Sequence, residues 1–255
     1  MIECQYAVIN IKINNKVIYS LKQGGLYMDR ARLETGELNK FFNWAYRTRG
    51  NVVQALAEGK EMSPEKMFLS FTSHDPVFIS HGSAGLNGSV KGIGFIPREE
   101  YLEEALAAYI EHIKSYDPED KGYSHRGLQL LLKWLYSKEA EQTIDFSHIY
   151  SVEMAFKHSW TNYQENKEAT LLFYQPPMLS FEVRGSMEII GKHNELGSIS
   201  PFELPLLQQF INAQHDVYHT PNIDRWVTRP AYKFTVEEIF DNSASKTGFG
   251  TKIPY

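Results

Sequence analysis

The chain has 255 residues, with 26 Lys and Arg against 31 Asp and Glu for a formal net charge of −5. Acid and base are mixed along it, so there is no basic stripe to neutralise phosphates, and nucleic acid is not an expected partner. A hydrophobic share of 42% supports a sizeable buried core, while no apolar run reaches the roughly 18 to 20 residues that cross a bilayer. The single cysteine, Cys4, excludes an internal disulfide, and without a charged-then-apolar leader the expected compartment is the cytoplasm.

In chain order, Ala7, Ile9, Ile11 and Ile13 alternate with Asn10, Lys12 and Asn14 before Asn14-Asn15 and Val17-Ile18-Tyr19, which predicts a β-hairpin. Cys4 precedes it with no local partner and is a poor nucleophile. Over residues 37–58, Leu38, Phe41, Phe42, Ala45, Val52, Val53 and Leu56 recur at helical spacing, and Gly50 is read as a break between two shorter helices. Residues 1–66 are thus expected to be a hairpin and helices packed on the core. Residues 67–71 and 77–80 flank Ser73-His74-Asp75-Pro76 and predict a strand pair around a turn. Gly82, Gly85, Gly88, Gly92 and Gly94 predict a mobile loop, a candidate lid, before a short strand at 93–96.

Leu102, Leu106, Tyr109, Ile110 and Ile113, then Leu128, Leu131, Leu132 and Leu135, predict a helical pair within residues 98–139. Strands are expected at 149–156, 169–174, 180–190 and 232–239, with a helix around 202–218. This order predicts an α+β fold with an antiparallel sheet or barrel.

The chemistry concentrates where a strand ends in Lys157-His158-Ser159-Trp160-Thr161-Asn162. Lys157, Ser159, Thr161 and Asn162 are cationic, hydroxyl and amide donors of the kind that hold a phosphate. The same residues also fit an ordinary capped strand-to-helix turn, with Ser159 or Thr161 as the cap. Arg184 falls on the polar face of its strand with Ser180, Glu182, Ser186 and Glu188, opposite Phe181, Val183, Met187 and Ile189, and suits either a phosphate contact or a cross-strand ion pair. Ser80-His81-Gly82-Ser83 suits a pocket wall or a phosphate on backbone amides. Trp160, Tyr163, Trp226 and Tyr232 offer flat faces for a ring system or fill the core. His215 and His219 stand at i and i+4, a spacing a metal site can use, with His193, Asp224 or His74 as a distant third ligand. Neither a P-loop nor a G-x-S-x-G elbow is present.

Taken together, the basic and hydroxyl-rich turn, the short helix containing Asn162 and Asn166, and the strand Phe181-Glu182-Val183-Arg184-Gly185-Ser186-Met187-Glu188-Ile189-Ile190 resemble the flavin-binding split barrels related to pyridoxamine 5′-phosphate oxidase. The resemblance covers residues 149–240 and, more loosely, 67–82. It implies an antiparallel split β-barrel over residues 67–255 with residues 98–139 as a helical insertion. It further implies bound flavin mononucleotide, a small-molecule substrate for an oxidoreductase, and a homodimer with flavin sites between subunits. The cofactor-binding residues it implies are Lys157, His158, Ser159, Trp160, Asn162, Arg184 and His81. The family commonly has Lys or Arg after the Ser or Thr of this turn. Here Trp160 follows Ser159, so the phosphate contact falls to Lys157, His158 or Arg184. No side chain is an evident catalytic acid or base. Two alternatives remain open at this point: a non-catalytic flavin or small-ligand binder acting as a sensor, and a metal-dependent hydrolase built on His215 and His219.

Overall fold

The computed structural model describes residues 37–255, so Cys4 and the hairpin expected at residues 7–19 lie outside the described residues. Helix α1 (Lys40–Ala57) begins at Asn39, whose side chain accepts from the Phe42 amide at 3.0 Å. It runs unbroken through Gly50, contrary to the expected break. A Cβ there would stand 3.3 Å from the Tyr136 ring, so this glycine serves close packing rather than chain reversal. A second correction falls on residues 67–71, which belong to helix α2 (Pro64–Phe71) and not to a strand. A short apolar run fits either period, and here Ser63 as cap with Pro64 in the first turn decides for the helix.

Strand β1 (Val77–Ser80) pairs with β2 (Asn87–Val90), within the stretch expected to be a mobile loop. The glycine-rich segment is therefore a hairpin, with Gly85 at φ +81 in its turn. Helices α3 (Glu99–Lys114) and α4 (Tyr123–Leu131) follow, then a π-helical turn at Leu132–Tyr136 and α5 (Lys138–Glu141). The second half runs β3 (His148–Val152), α6 (His158–Glu165), β4 (Glu168–Gln175), β5 (Leu179–Ile190), α7 (Leu206–Asp216), β6 (Ala231–Asp241) and β7 (Thr251–Ile253).

All pairings are antiparallel, in the order β2-β1-β4-β5-β6-β3, with β7 beside β6. The two ends of this sheet approach one another. Ile93 donates to His74 just ahead of β1, while Gly94 exchanges both backbone bonds with Tyr150 of β3, at 2.8 and 3.0 Å. The segment leaving β2 thus bridges to the far edge strand and curls the sheet into a half-barrel. A bulge at Arg184/Gly185, opposite Val236 and Glu238, adds local bend and twist. Gly185 is required there, because a Cβ would lie 1.9 Å from the Thr235 carbonyl oxygen.

Inside the curl, Phe78, Leu171, Phe173, Phe181, Val183, Met187, Phe234 and Ile239 are buried. Helix α1 closes one end, with Phe41 edge-on to Phe173 and Phe181 at 5.0 and 5.5 Å, and Lys40 ion-paired to Asp241. Helix α6 closes the other, where Tyr163 and Trp160 pack on Tyr232, the cross-strand partner of Ile189. Among the described residues no helix is long and apolar enough to cross a membrane.

Candidate functional site at the start of α6

The approach to α6 is set by Glu153. Its Oε1 accepts from the Ala155 and Phe156 amides, and its Oε2 accepts from the Tyr232 hydroxyl at 2.5 Å and from Lys91 Nζ at 3.1 Å. Burial alone would raise this carboxyl, but these donors hold it below the usual carboxylate range. The capture of its amide fixes Phe156 at φ 52, a left-handed conformation uncommon outside glycine. The chain then turns sharply so that Lys157 is the N-cap residue of α6, and no side chain caps the helix. Lys157 and His158 are exposed, and Trp160 is half-buried with its ring edge-on to Phe156 at 5.1 Å.

Ser159 and Asn162 have a different role. Both are buried. Ser159 Oγ is bonded to Asn87 Nδ2 and Ser89 Oγ, each at 2.8 Å. Asn162 Oδ1 accepts from the Ala84 amide at 3.0 Å, while Nδ2 donates to Gly85 O at 2.8 Å and Ser80 Oγ at 3.2 Å. The two side chains join α6 to the β1–β2 hairpin, and their polar atoms are engaged. Gly82 lies in the same joint, where a Cβ would come within 2.9 Å of Asn162 Oδ1. The sequence pattern identified the donors, but it could not show that partners 70 to 82 residues away in the chain engage them.

The other two candidates are set apart from the Lys157 turn. Arg184 lies on the outer face of β5, with Nε 2.6 Å from Glu182 Oε1 and its guanidinium over the Phe240 ring. The carboxylate it meets is thus on its own strand, two residues back, and not the cross-strand partner that the alternation suggested. His81 is exposed beside Glu168 Oε2 at 3.3 Å and Asn166 Nδ2 at 2.7 Å. His215 bonds Asp216 Oδ1 at 3.0 Å and its ring lies 5.3 Å from that of His219. Among the described residues no group of three or more His, Cys, Asp or Glu side chains is placed to hold a metal.

These positions divide the donor set for a flavin phosphate. The exposed cation and imidazole at an uncapped helix start fit an anion. Ser159 and Asn162 do not fit it, since a phosphate would have to displace the bonds that seat α6.

No family model matches the chain, and no curated protein matches it in sequence. Among solved structures it is similar to HupZ of Group A Streptococcus, at TM-score 0.36 and 10% identity over 72% of this chain and 97% of that one. It is also similar to an F420 reductase, at 0.35 and 11% over 65% and 88%. A third is a pyridoxamine 5′-phosphate oxidase-related, FMN binding protein of Nostoc punctiforme, at 0.32 and 7% over 70% and 84%. At these values the class, an α+β protein with a curled antiparallel half-barrel, rests on the pairing within this chain.

Proposed function

We propose that the protein binds flavin mononucleotide, with the phosphate at the start of α6 on Lys157, His158 and the first amides of the helix. The observation that carries this reading is the uncapped N-terminus of α6, with Lys157 at the cap position behind a backbone turn that Glu153 holds. Trp160, half-buried in the first turn of α6, offers an aromatic face. When bound, the flavin supplies electron or hydride transfer to a small-molecule substrate. The chain's part is to hold its anionic end and orient it. A homodimer with the site at the subunit boundary, a cytoplasmic location, and residues 98–139 as an insertion in a split-barrel domain of residues 67–255 belong to the same proposal.

Fluorescence titration of flavin mononucleotide tests it. Charge-assisted hydrogen bonds contribute about 1.5–3 kcal/mol each, so Lys157→Ala with His158→Ala should weaken binding by roughly tenfold or more. Arg184→Gln, on the outer face of β5, should leave it unchanged. Equal affinity of the double variant and the parent would overturn the assignment. A second reading is a flavin binder without turnover. Bound flavin that a nicotinamide reductant fails to reduce would select it.

A further inference from the structure

The β1–β2 hairpin that seats Ser159 and Asn162 also delivers a cation to the turn ahead of α6. Lys91 follows β2 directly, and its amide donates to Pro76 O at 3.2 Å. Its Nζ stands 3.1 Å from Glu153 Oε2 and 5.3 Å from the centroid of the Tyr232 ring, the ring on which Trp160 and Tyr163 of α6 pack. The ion pair is enclosed, with 13% of the Lys91 side chain and 1% of the Glu153 side chain exposed. Among the described residues Lys91 is the one cation paired with Glu153.

Glu153 uses its two oxygens differently. Oε1 accepts both turn amides, from Ala155 and Phe156, and so sets the backbone up to the residue before Lys157 at the cap position. Oε2 takes the Tyr232 hydroxyl and Lys91. The group that shapes the start of α6 is therefore itself a buried negative charge beside a place suited to an anion. In an interior of low dielectric a bare carboxylate would repel a phosphate strongly, and salt would screen little of that repulsion.

A lysine here also suits a purely structural part, since a buried carboxylate is costly without a partner. The two parts differ in how they depend on the ligand. A structural prop affects every ligand of the site alike, whereas charge compensation acts through the charge that the ligand carries.

We propose, resting on the flavin reading of this site, that Lys91 is a positioning residue: it cancels the charge of Glu153 so that the turn accepts a phosphate. It thereby sets the preference of the site for flavin mononucleotide over riboflavin, the same ring system without the phosphate. Lys91 acts through Glu153 and makes no contact with the phosphate.

Parallel fluorescence titrations of the full chain with flavin mononucleotide and with riboflavin test this. Lys91→Met keeps an apolar stem over Tyr232 and removes the charge. It should weaken flavin mononucleotide by roughly tenfold and riboflavin by less than about twofold. Lys91→Arg should retain the parental affinity for both. Should Lys91→Met fold poorly, combining it with Glu153→Gln removes both charges, while the new amide oxygen still accepts from Ala155 and Phe156. That double variant should bind flavin mononucleotide at close to the parental affinity. Equal weakening of both ligands, or unchanged flavin mononucleotide binding, in folded Lys91→Met would overturn the proposal. So would a double variant that binds flavin mononucleotide tenfold more weakly than the parent. A parent chain that binds neither ligand would overturn the flavin reading itself, and the part of Lys91 with it.

Discussion

Asn162→Ala separates a structural joint from a ligand donor. The side chain is fully buried, and its three hydrogen bonds reach Ala84, Gly85 and Ser80. Deleting it removes about 1 kcal/mol of net stabilisation per bond and leaves the Ala84 N–H and Gly85 C=O without their partner, so the expected loss is about 2–4 kcal/mol. For a domain of this size that lowers Tm by roughly 5 to 15 °C. Urea unfolding should show a lower midpoint with an unchanged slope, because the surface exposed on unfolding is the same. Gly82→Ala should act in the same direction, since its Cβ would press on Asn162 Oδ1 at 2.9 Å and Cα at 3.1 Å. A loss below about 0.5 kcal/mol for Asn162→Ala would refute the joint. Such a result coupled to a large loss of flavin affinity would return Asn162 to the phosphate.

Gly185→Ala should prevent β5 and β6 from pairing through the bulge, where the new Cβ would overlap the Thr235 oxygen; circular dichroism should show loss of the folded state or destabilisation above about 3 kcal/mol. Phe41→Ala empties the contact between α1 and the barrel end, where the ring touches Phe42, Phe173 and Phe181, and should cost about 3–5 kcal/mol in chemical denaturation. The His74 imidazole, held to about 3 in the folded chain, makes the unfolded chain the stronger proton binder below its ordinary pKa of 6.5. The associated stability is complete above 6.5 and falls with pH toward 3, by about 2 kcal/mol between pH 6.5 and 5. His74→Gln should remove that slope, and a slope that persists unchanged would refute the burial of this imidazole.

Much of the architecture was legible from periodicity. Strands β3 to β6 and helices α3 and α7 follow their apolar repeats, and the alternation on β5 placed Phe181, Val183 and Met187 inward and Arg184 outward. Two of three misreadings share a cause, which is that the deciding interaction is distant or carried by the backbone. Gly50 was read as a break because its packing partner, Tyr136, is remote in sequence. Strand β2 has no apolar alternation, and its pairing with β1 is carried by the main chain. In α2, the Ser63 cap and Pro64 outweigh an apolar run that suits a strand equally well. The site divides in the same way. The polar richness of residues 157–162 is a local fact. Which of those atoms are already bonded depends on residues of the β1–β2 hairpin.

The most direct test of the flavin assignment is the visible absorbance spectrum of the full chain after incubation with flavin mononucleotide and gel filtration to remove excess. Flavin bands that co-elute with the protein, and that are lost when Lys157 and His158 are both Ala, are the predicted result. A colourless parent protein under the same conditions would contradict flavin binding at the start of α6.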